Sequence, residues 1–162
     1  MIYFLTVNYE STSLIAQLLD SIAVQGQPDT PVIIVNNSPD DPSVQQFQRP
    51  PVKVIEAGAN LGFGRACNLG LRWVYQRDPT AIVWLINPDA GLHIGSLDQA
   101  QQLFHHHPEI SILGTVIYQP DGRLWFAGGQ FTPRTGTILS QTTPLHPSSG
   151  TRICDHGLGF RL

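Results

Sequence analysis

A chain of 162 residues, 41% hydrophobic and 13% charged, fits one compact domain able to bury roughly 68–70% of its unfolded surface, which leaves little room for further domains. Nine Lys and Arg against twelve Asp and Glu give a net charge of −3 with no basic run, which argues against a nucleic-acid partner held by phosphate neutralisation. Cys67 and Cys154 lie far apart and form no Cys-x-x-Cys pair, which fits a reducing compartment and argues against a disulfide framework or a zinc site.

The first predicted element is a short strand, "IYFLTV" at 2–7. Asn8 interrupts it, with neither a basic leader nor a cleavage pattern, and no later apolar run reaches the roughly 18 residues of a membrane span. A cytoplasmic protein is therefore expected. Ser11 then precedes a helical pattern with Leu14, Ile15, Leu18, Leu19 and Ile22 on one face. "VIIV" (32–35) and "VKVI" (52–55) read as two more strands, and 64–77 as a helix with an apolar face through Ala66, Leu69, Trp73 and Val74.

"AIVWLI" (81–86) reads as the most buried strand. Residues 96–105 follow as a helix through Leu97, Ala100 and Phe104, with Ser96 as its cap. "ISILGTVI" is expected to be one strand, "YQPDGRLWF" a hairpin around Asp121-Gly122, and the stretch from Gly128 onward hairpin and loop. Continuously apolar strands alternating with helices predict an α/β fold: a mostly parallel sheet covered on both faces.

Ligands of such sheets bind beyond the carboxyl ends of the strands, where loops and helix N-termini expose unpaired N–H groups. The four endings are "VNYE" (7–10), "NNSPDDPS" (36–43), "AGANLGFGRACN" (57–68) and "NPDAG" (87–91). All carry polar groups, glycines or aromatics suited to a polar ligand with a flat ring. None matches the dinucleotide Gly-x-Gly-x-x-Gly fingerprint or the phosphate-loop motif, which disfavours a dinucleotide enzyme and a P-loop ATPase.

"TVNYES", "VIIVNNSPDDPS", "NLGFGRACNLGL" and "WLINPDA" occur in the order and approximate spacing of family 2 glycosyltransferases, and over residues 1–130 the chain resembles the rhamnosyltransferase-like branch. The resemblance implies a GT-A fold, 1–162 as a single domain with a donor-binding half at about 1–130, and sugar transfer from a nucleotide-diphosphate donor to an acceptor hydroxyl with inversion. It also implies a glycan or lipid-linked acceptor and a cytoplasmic location, peripheral at the inner membrane face in one variant. Against the family pattern the acceptor-side region at 131–162 is incomplete. The chain is expected to be truncated at its C-terminus, with a homodimer or partner chain covering exposed sheet surface. The alternative is a non-catalytic nucleotide-sugar-binding or assembly module of the same fold.

Charge builds on a leaving diphosphate, and a unit charge pair about 4 Å apart at an effective dielectric near 20 is worth roughly 4 kcal/mol. A counter-charge is therefore needed. The resemblance makes Asp89 the ligand of a divalent cation, Mg or Mn, because such ions combine one or two carboxylates with substrate phosphates and water. Asn87 stands where the family's acidic motif begins. The donor-binding set it implies is Val7, Tyr9, Asn36, Arg65, Asn68, Asn87 and Asp89.

Tyr9 would stack on the base. Asn36 would hydrogen-bond base or ribose without the charge of the family's Asp. Two glycines ahead of a helix would let Arg65 reach the diphosphate, with Asn68 orienting that region. Asp155 and His156 border the expected acceptor site, with Asp155 as a candidate base. Taken without the resemblance, Asn87-Pro88-Asp89 reads as a strand-ending turn and Arg65 as a solvated side chain. Asp40 and Asp41 are expected to cap the following helix or stay solvated. The consecutive His105, His106 and His107 point about 100° apart on a helix and cannot converge on one ion.

Overall fold

The computed structural model describes residues 1–132, 134–135, 137–140 and 158–161. Six strands form the main sheet: β1 (Ile2–Asn8), β2 (Val32–Asn36), β3 (Val52–Glu56), β4 (Ile82–Leu85), β5 (Ile112–Leu113) and, late in the chain, β10 (Leu158–Arg161). Their spatial order is β3-β2-β1-β4-β10-β5. β1, β2, β3 and β4 are mutually parallel, and β10 runs antiparallel between β4 and β5. Two hairpins stand apart from it, β6 (Ile117–Tyr118) with β7 (Leu124–Phe126) and β8 (Gly129–Thr132) with β9 (Thr137–Ser140).

The parallel strands are largely apolar because both faces of the sheet are covered, while β3 at its edge carries Lys53 and Glu56. Ile2, Phe4, Val32, Ile34, Trp84 and Ile86 point to one face, where they meet Ile15, Leu18 and Ile22 of α1 (Thr12–Ala23) and Leu97 and Ala100 of α3 (Ser96–His106). Leu5, Val7, Ile33, Val35 and Val83 point to the other face and meet Ala66, Cys67 and Val74 of α2 (Phe63–Tyr75). The period-2 alternation of the strands sends each neighbouring pair to opposite cores. Burial pushes the pKa of the free Cys67 thiol up, consistent with its role as a small apolar residue.

The expected α/β sheet, the helices on both faces and the hairpin at Asp121-Gly122 are all present. Details differ for physical reasons. The buried stripe of α2 is Ala66, Cys67, Gly70 and Val74, while Leu69 and Trp73 are half-buried at its margin. Gly70 allows that rotation, since a methyl there would run into Leu5 Cδ1 and come within 3.1 Å of Val35 Cγ2. β2 is buried at all five positions, whereas β4, expected to be the most buried strand, is buried at two of four.

Ser96 does not cap α3. Gly95 takes the cap position in a left-handed conformation at φ 85°, so Ser96 opens the helix with its side chain buried and its Oγ without a partner among the described residues. "ISILGTVI" is two strands rather than one, because β5 pairs with β10 in the main sheet and β6 pairs with β7 outside it. No helix among the described residues is long and apolar enough to cross a membrane.

Candidate nucleotide-sugar site

The chain passes from β1 through α1 to β2 on one side of β1, and from β3 through α2 to β4 on the other. Between β1 and β4 the direction of winding reverses, and in open α/β sheets such a switch point opens a crevice at the carboxyl ends of the strands. Tyr9 follows β1 and the Asn87-Pro88-Asp89 turn follows β4, so the two flank it. The strand ends are level: Asn8, Asn36 and Glu56 face one another in register across β1, β2 and β3.

Asn8 and Asn36 are buried, at 0% and 1% exposure, and the side-chain amides account for one another. Asn8 Nδ2 donates to Asn36 Oδ1 at 3.0 Å, while Asn8 Oδ1 accepts from the Ser11 N–H at 3.2 Å and the Ser11 hydroxyl at 3.1 Å. Ser11 therefore works as a strand-end bracket and makes no side-chain cap bond to α1. Its Oγ also accepts the Tyr9 N–H at 3.3 Å, and Ser38 Oγ accepts the Glu10 N–H at 2.8 Å. Glu10 is held at φ 51°, a left-handed conformation that costs a non-glycine residue energy and persists only when its surroundings over-determine it. The result is a fixed loop that presents the Tyr9 ring, 51% exposed, at the crevice.

A second set of bonds positions the glycine-containing loop. Asn37 Nδ2 donates to Asn60 Oδ1 at 2.9 Å, Asn37 Oδ1 accepts from the Leu61 N–H at 2.8 Å, and Asn60 Oδ1 also accepts from the Gly62 N–H at 3.0 Å. Gly62, at φ 73°, then turns the chain into α2. Only Gly62 of the two glycines precedes the helix; Gly64 lies inside its first turn, and a Cβ at either would meet nothing within 4 Å. The first described intrahelical bond runs from the Ala66 N–H to the Gly62 carbonyl at 3.1 Å, so the N–H groups of Phe63, Gly64 and Arg65 reach no acceptor among the described residues. An open helix N-terminus of this kind attracts anions. Arg65 is exposed in that turn, and Asn68 is exposed one turn on.

At the end of β4, the Ile86 N–H still donates to the Leu5 carbonyl at 3.0 Å, and the Ala90 N–H closes a turn on the Asn87 carbonyl at 3.1 Å. Leu92 is buried, and its N–H is tied to Ser21 Oγ of α1 at 3.2 Å. Asp89 sits on the short arch between these anchors, exposed, and its carboxylate accepts no hydrogen bond from a described residue. A turn built this way satisfies its backbone without the acid. No group of three or more metal-ligating side chains occurs among the described residues. A hard cation held at 87–89 would have to complete its shell with substrate phosphates and water, since Asp89 and Asn87 alone make no cage.

Two of the expected donor residues offer a ligand no free side-chain group. Val7, 6% exposed, packs in the core against α2 and offers no side-chain surface to a ligand. Asn36 has both ends of its amide committed, its Nδ2 donating to Glu56 Oε2 at 3.0 Å and the Asp41 carbonyl at 3.1 Å, its Oδ1 accepting from Asn8 Nδ2 and the Ser38 N–H. Asp155 and His156 lie outside the described residues.

Asp41 accepts the Ser43 N–H at 2.9 Å at the start of the single 3-10 turn Ser43–Phe47 that joins β2 to β3, and hydrogen bonding from Ser43 holds its carboxyl below the usual range. His106 Nδ1 lies 2.8 Å from the Gln102 carbonyl and His107 Nδ1 3.1 Å from Glu109, so these two histidines serve the end of α3. Asn8, Ser11, Asn37, Ser38, Glu56 and Asn60 were not singled out as functional by the sequence reading. The signal in the sequence is that polar residues end β1, β2 and β3 at the same level, at Asn8, Asn36 and Glu56, and continue into the loops that follow.

Residues 3–158 match the family model described as Glycosyl transferase family 2. The N-acetylglucosaminyl-diphospho-decaprenol L-rhamnosyltransferases of two Mycobacterium tuberculosis strains, CDC 1551 / Oshkosh and ATCC 25618 / H37Rv, are each 27% identical over 128 residues. Those alignments cover 74% of this chain and 42% of each relative, so the chain spans less than half the length of these curated relatives. Among solved structures, S. aureus TarS 1-349 in complex with UDP-GlcNAc superposes with a TM-score of 0.63 at 22% identity, covering 75% of this chain and 36% of that one. The mannosyltransferase PcManGT from Pyrobaculum calidifontis, in complex with GDP-Man and Mn2+, gives a TM-score of 0.59 at 22% identity, covering 74% and 36%. The likeness establishes the GT-A fold.

Proposed function

We propose, from the premise that this chain belongs to glycosyl transferase family 2, that it binds a nucleotide-diphosphate sugar along the carboxyl edge of its parallel strands and serves transfer of that sugar to an acceptor hydroxyl with inversion. The observation that carries this reading is the exposed Asp89 carboxylate, without a hydrogen-bond partner among the described residues, on an anchored arch beside the β1/β4 switch point. Rhamnose is the sugar favoured by the two relatives, and a glycan or lipid-linked hydroxyl is the acceptor class. Residues 1 to about 130 would form the donor half, and 131–162 part of the acceptor side.

Tyr9 offers its ring face to the base. The open N-terminus of α2 and Arg65 offer N–H groups and a fixed positive charge to the diphosphate. Asp89, with Asn87 beside it, would hold a divalent cation, which supplies charge neutralisation for the departing diphosphate. In the transfer the acceptor oxygen forms its bond to the anomeric carbon on the face opposite the breaking sugar–phosphate bond. The nucleoside diphosphate leaves with the bonding electrons, and the hydroxyl proton passes to a carboxylate base, for which Asp155 is the candidate.

Calorimetry with UDP-, GDP- and dTDP-sugars, with and without Mn2+, tests the donor site. Metal-dependent binding should weaken at least about tenfold, 1.4 kcal/mol, in Asp89→Ala. Undiminished binding in that variant, or no nucleotide binding by the parent chain, would overturn the assignment. Release of sugar to an added acceptor then separates an enzyme from a binding module.

A further inference from the structure

Asn36 occupies the middle of the strand-end row yet has no hydrogen-bonding capacity left. Its two amide hydrogens go to Glu56 and the Asp41 carbonyl, and the two lone pairs of its oxygen take Asn8 and the Ser38 N–H. Glu56, its register partner on β3, is in the opposite condition. Its Oε2 accepts from Asn36 and its Oε1 accepts from Gln45 Nε2, so the carboxylate is held by two amides from two different segments. An ionised carboxylate has about four acceptor sites, which leaves one on each oxygen. The group is exposed. The ion pairs among the described residues are His107–Glu109 and Arg123–Asp121, so no described cation neutralises it.

We propose that Glu56 is the base-selecting residue of the donor site, accepting the ring N–H of uracil, thymine or guanine and disfavouring cytosine. This rests on the donor-binding reading above. Glu56 and Asp89 end strands at opposite sides of the parallel set, three strand spacings or about 14 Å apart, with Tyr9 between them. A diphosphate drawn to Arg65 and to a cation at Asp89 leaves the base as the part of the nucleotide farthest from that charge. The negatively charged Glu56 repels phosphate and, as an acceptor only, rewards a donor. Uracil N3 carries a hydrogen where cytosine N3 carries a lone pair, so cytosine would set two acceptors against each other. Sites built for one hydrogen-bond polarity reject the analogue that lacks it more strongly than apolar pockets reject a misfit.

The test is calorimetry of the full chain with Mn2+ and UDP, dTDP, GDP or CDP, using the parent chain, Glu56→Gln and Gln45→Ala. The parent should bind its best N–H-bearing nucleotide at least tenfold more tightly than CDP. In Glu56→Gln the oxygen can keep the Asn36 bond while the new NH2 takes the Oε1 position, donating to a Gln45 amide turned to offer its oxygen and to the base, so that preference should shrink tenfold or invert, with CDP binding held or improved. Gln45→Ala, which frees one oxygen of Glu56, should reduce the preference less and in the same direction. Equal weakening of UDP and CDP in Glu56→Gln, as a loss of fold or of a ribose contact would give, overturns the inference, as does an unchanged preference. If the parent binds nucleotide with no base preference, Glu56 loses its role while the donor site stands; if it binds none, both fall.

Discussion

At the scale of single residues, Asn36 shows how burial changes what a side chain can do. Where the family pattern expects an acid, this chain has an amide 1% exposed and 3.0 Å from Glu56 Oε2. Asn36→Asp would remove two donors, leave Glu56 and the Asp41 carbonyl without their partner, and place a second carboxylate against the first. The expected cost is about 2–3 kcal/mol near neutral pH, read from urea unfolding. Repulsion and burial raise the folded-state pKa of the new acid above its unfolded value. The variant's deficit should therefore be smallest below the ordinary Asp range and grow as pH rises through the raised value. A deficit that is flat from pH 4 to pH 8 would contradict this picture. The exposure of Tyr9 and Asp89 was legible because each follows an apolar run at a chain turn. The saturation of Asn36 was not, because its partners at 8, 38, 41 and 56 are brought together by register across three strands.

At the scale of elements, the seat of α2 on the sheet depends on a missing methyl. Gly70→Ala should gain up to about 1 kcal/mol in helix propensity. It should lose about 1–3 kcal/mol by pressing into Leu5, itself fully buried, and crowding Val35. A net destabilisation of about 1 kcal/mol is expected, with the melting temperature as readout; a stabilised variant would show that α2 is free to lift. The rotation of α2 that puts Cys67 and Gly70 inward was hidden in the sequence, since Trp73 and Leu69 are the more hydrophobic neighbours and periodicity weighs them first. The same limit explains "ISILGTVI": its apolar run is continuous, but the two halves join different sheets, and partner choice leaves no mark on a single strand. The four parallel strands and the hairpin turn at Asp121-Gly122 were readable because each depends on local pattern alone.

At the scale of the molecule, β10 closes the side of β4 that the first four strands leave unpaired, with Leu158 opposite Leu85 and Arg161 opposite Ile82. Nothing in the local sequence announces this, since "GLGFRL" is short and contains glycine. Removing residues 158–162 should expose the ladder groups of Val83 and Leu85. Amide exchange at β4 is then expected to accelerate more than at β2, and the chain to self-associate at high concentration, measured by light scattering. Equal exchange rates with and without β10 would mean that β4 is protected from elsewhere.

That late pairing also bears on the order of events during synthesis. β1, β2, β3 and β4 can find their parallel neighbours as soon as Leu85 is made, whereas the antiparallel seam must wait for Leu158. For that interval the nascent protein carries a ready-made template for strand addition beside its most chemically equipped turn, and whatever shields it on the ribosome governs how much of the product escapes misassembly.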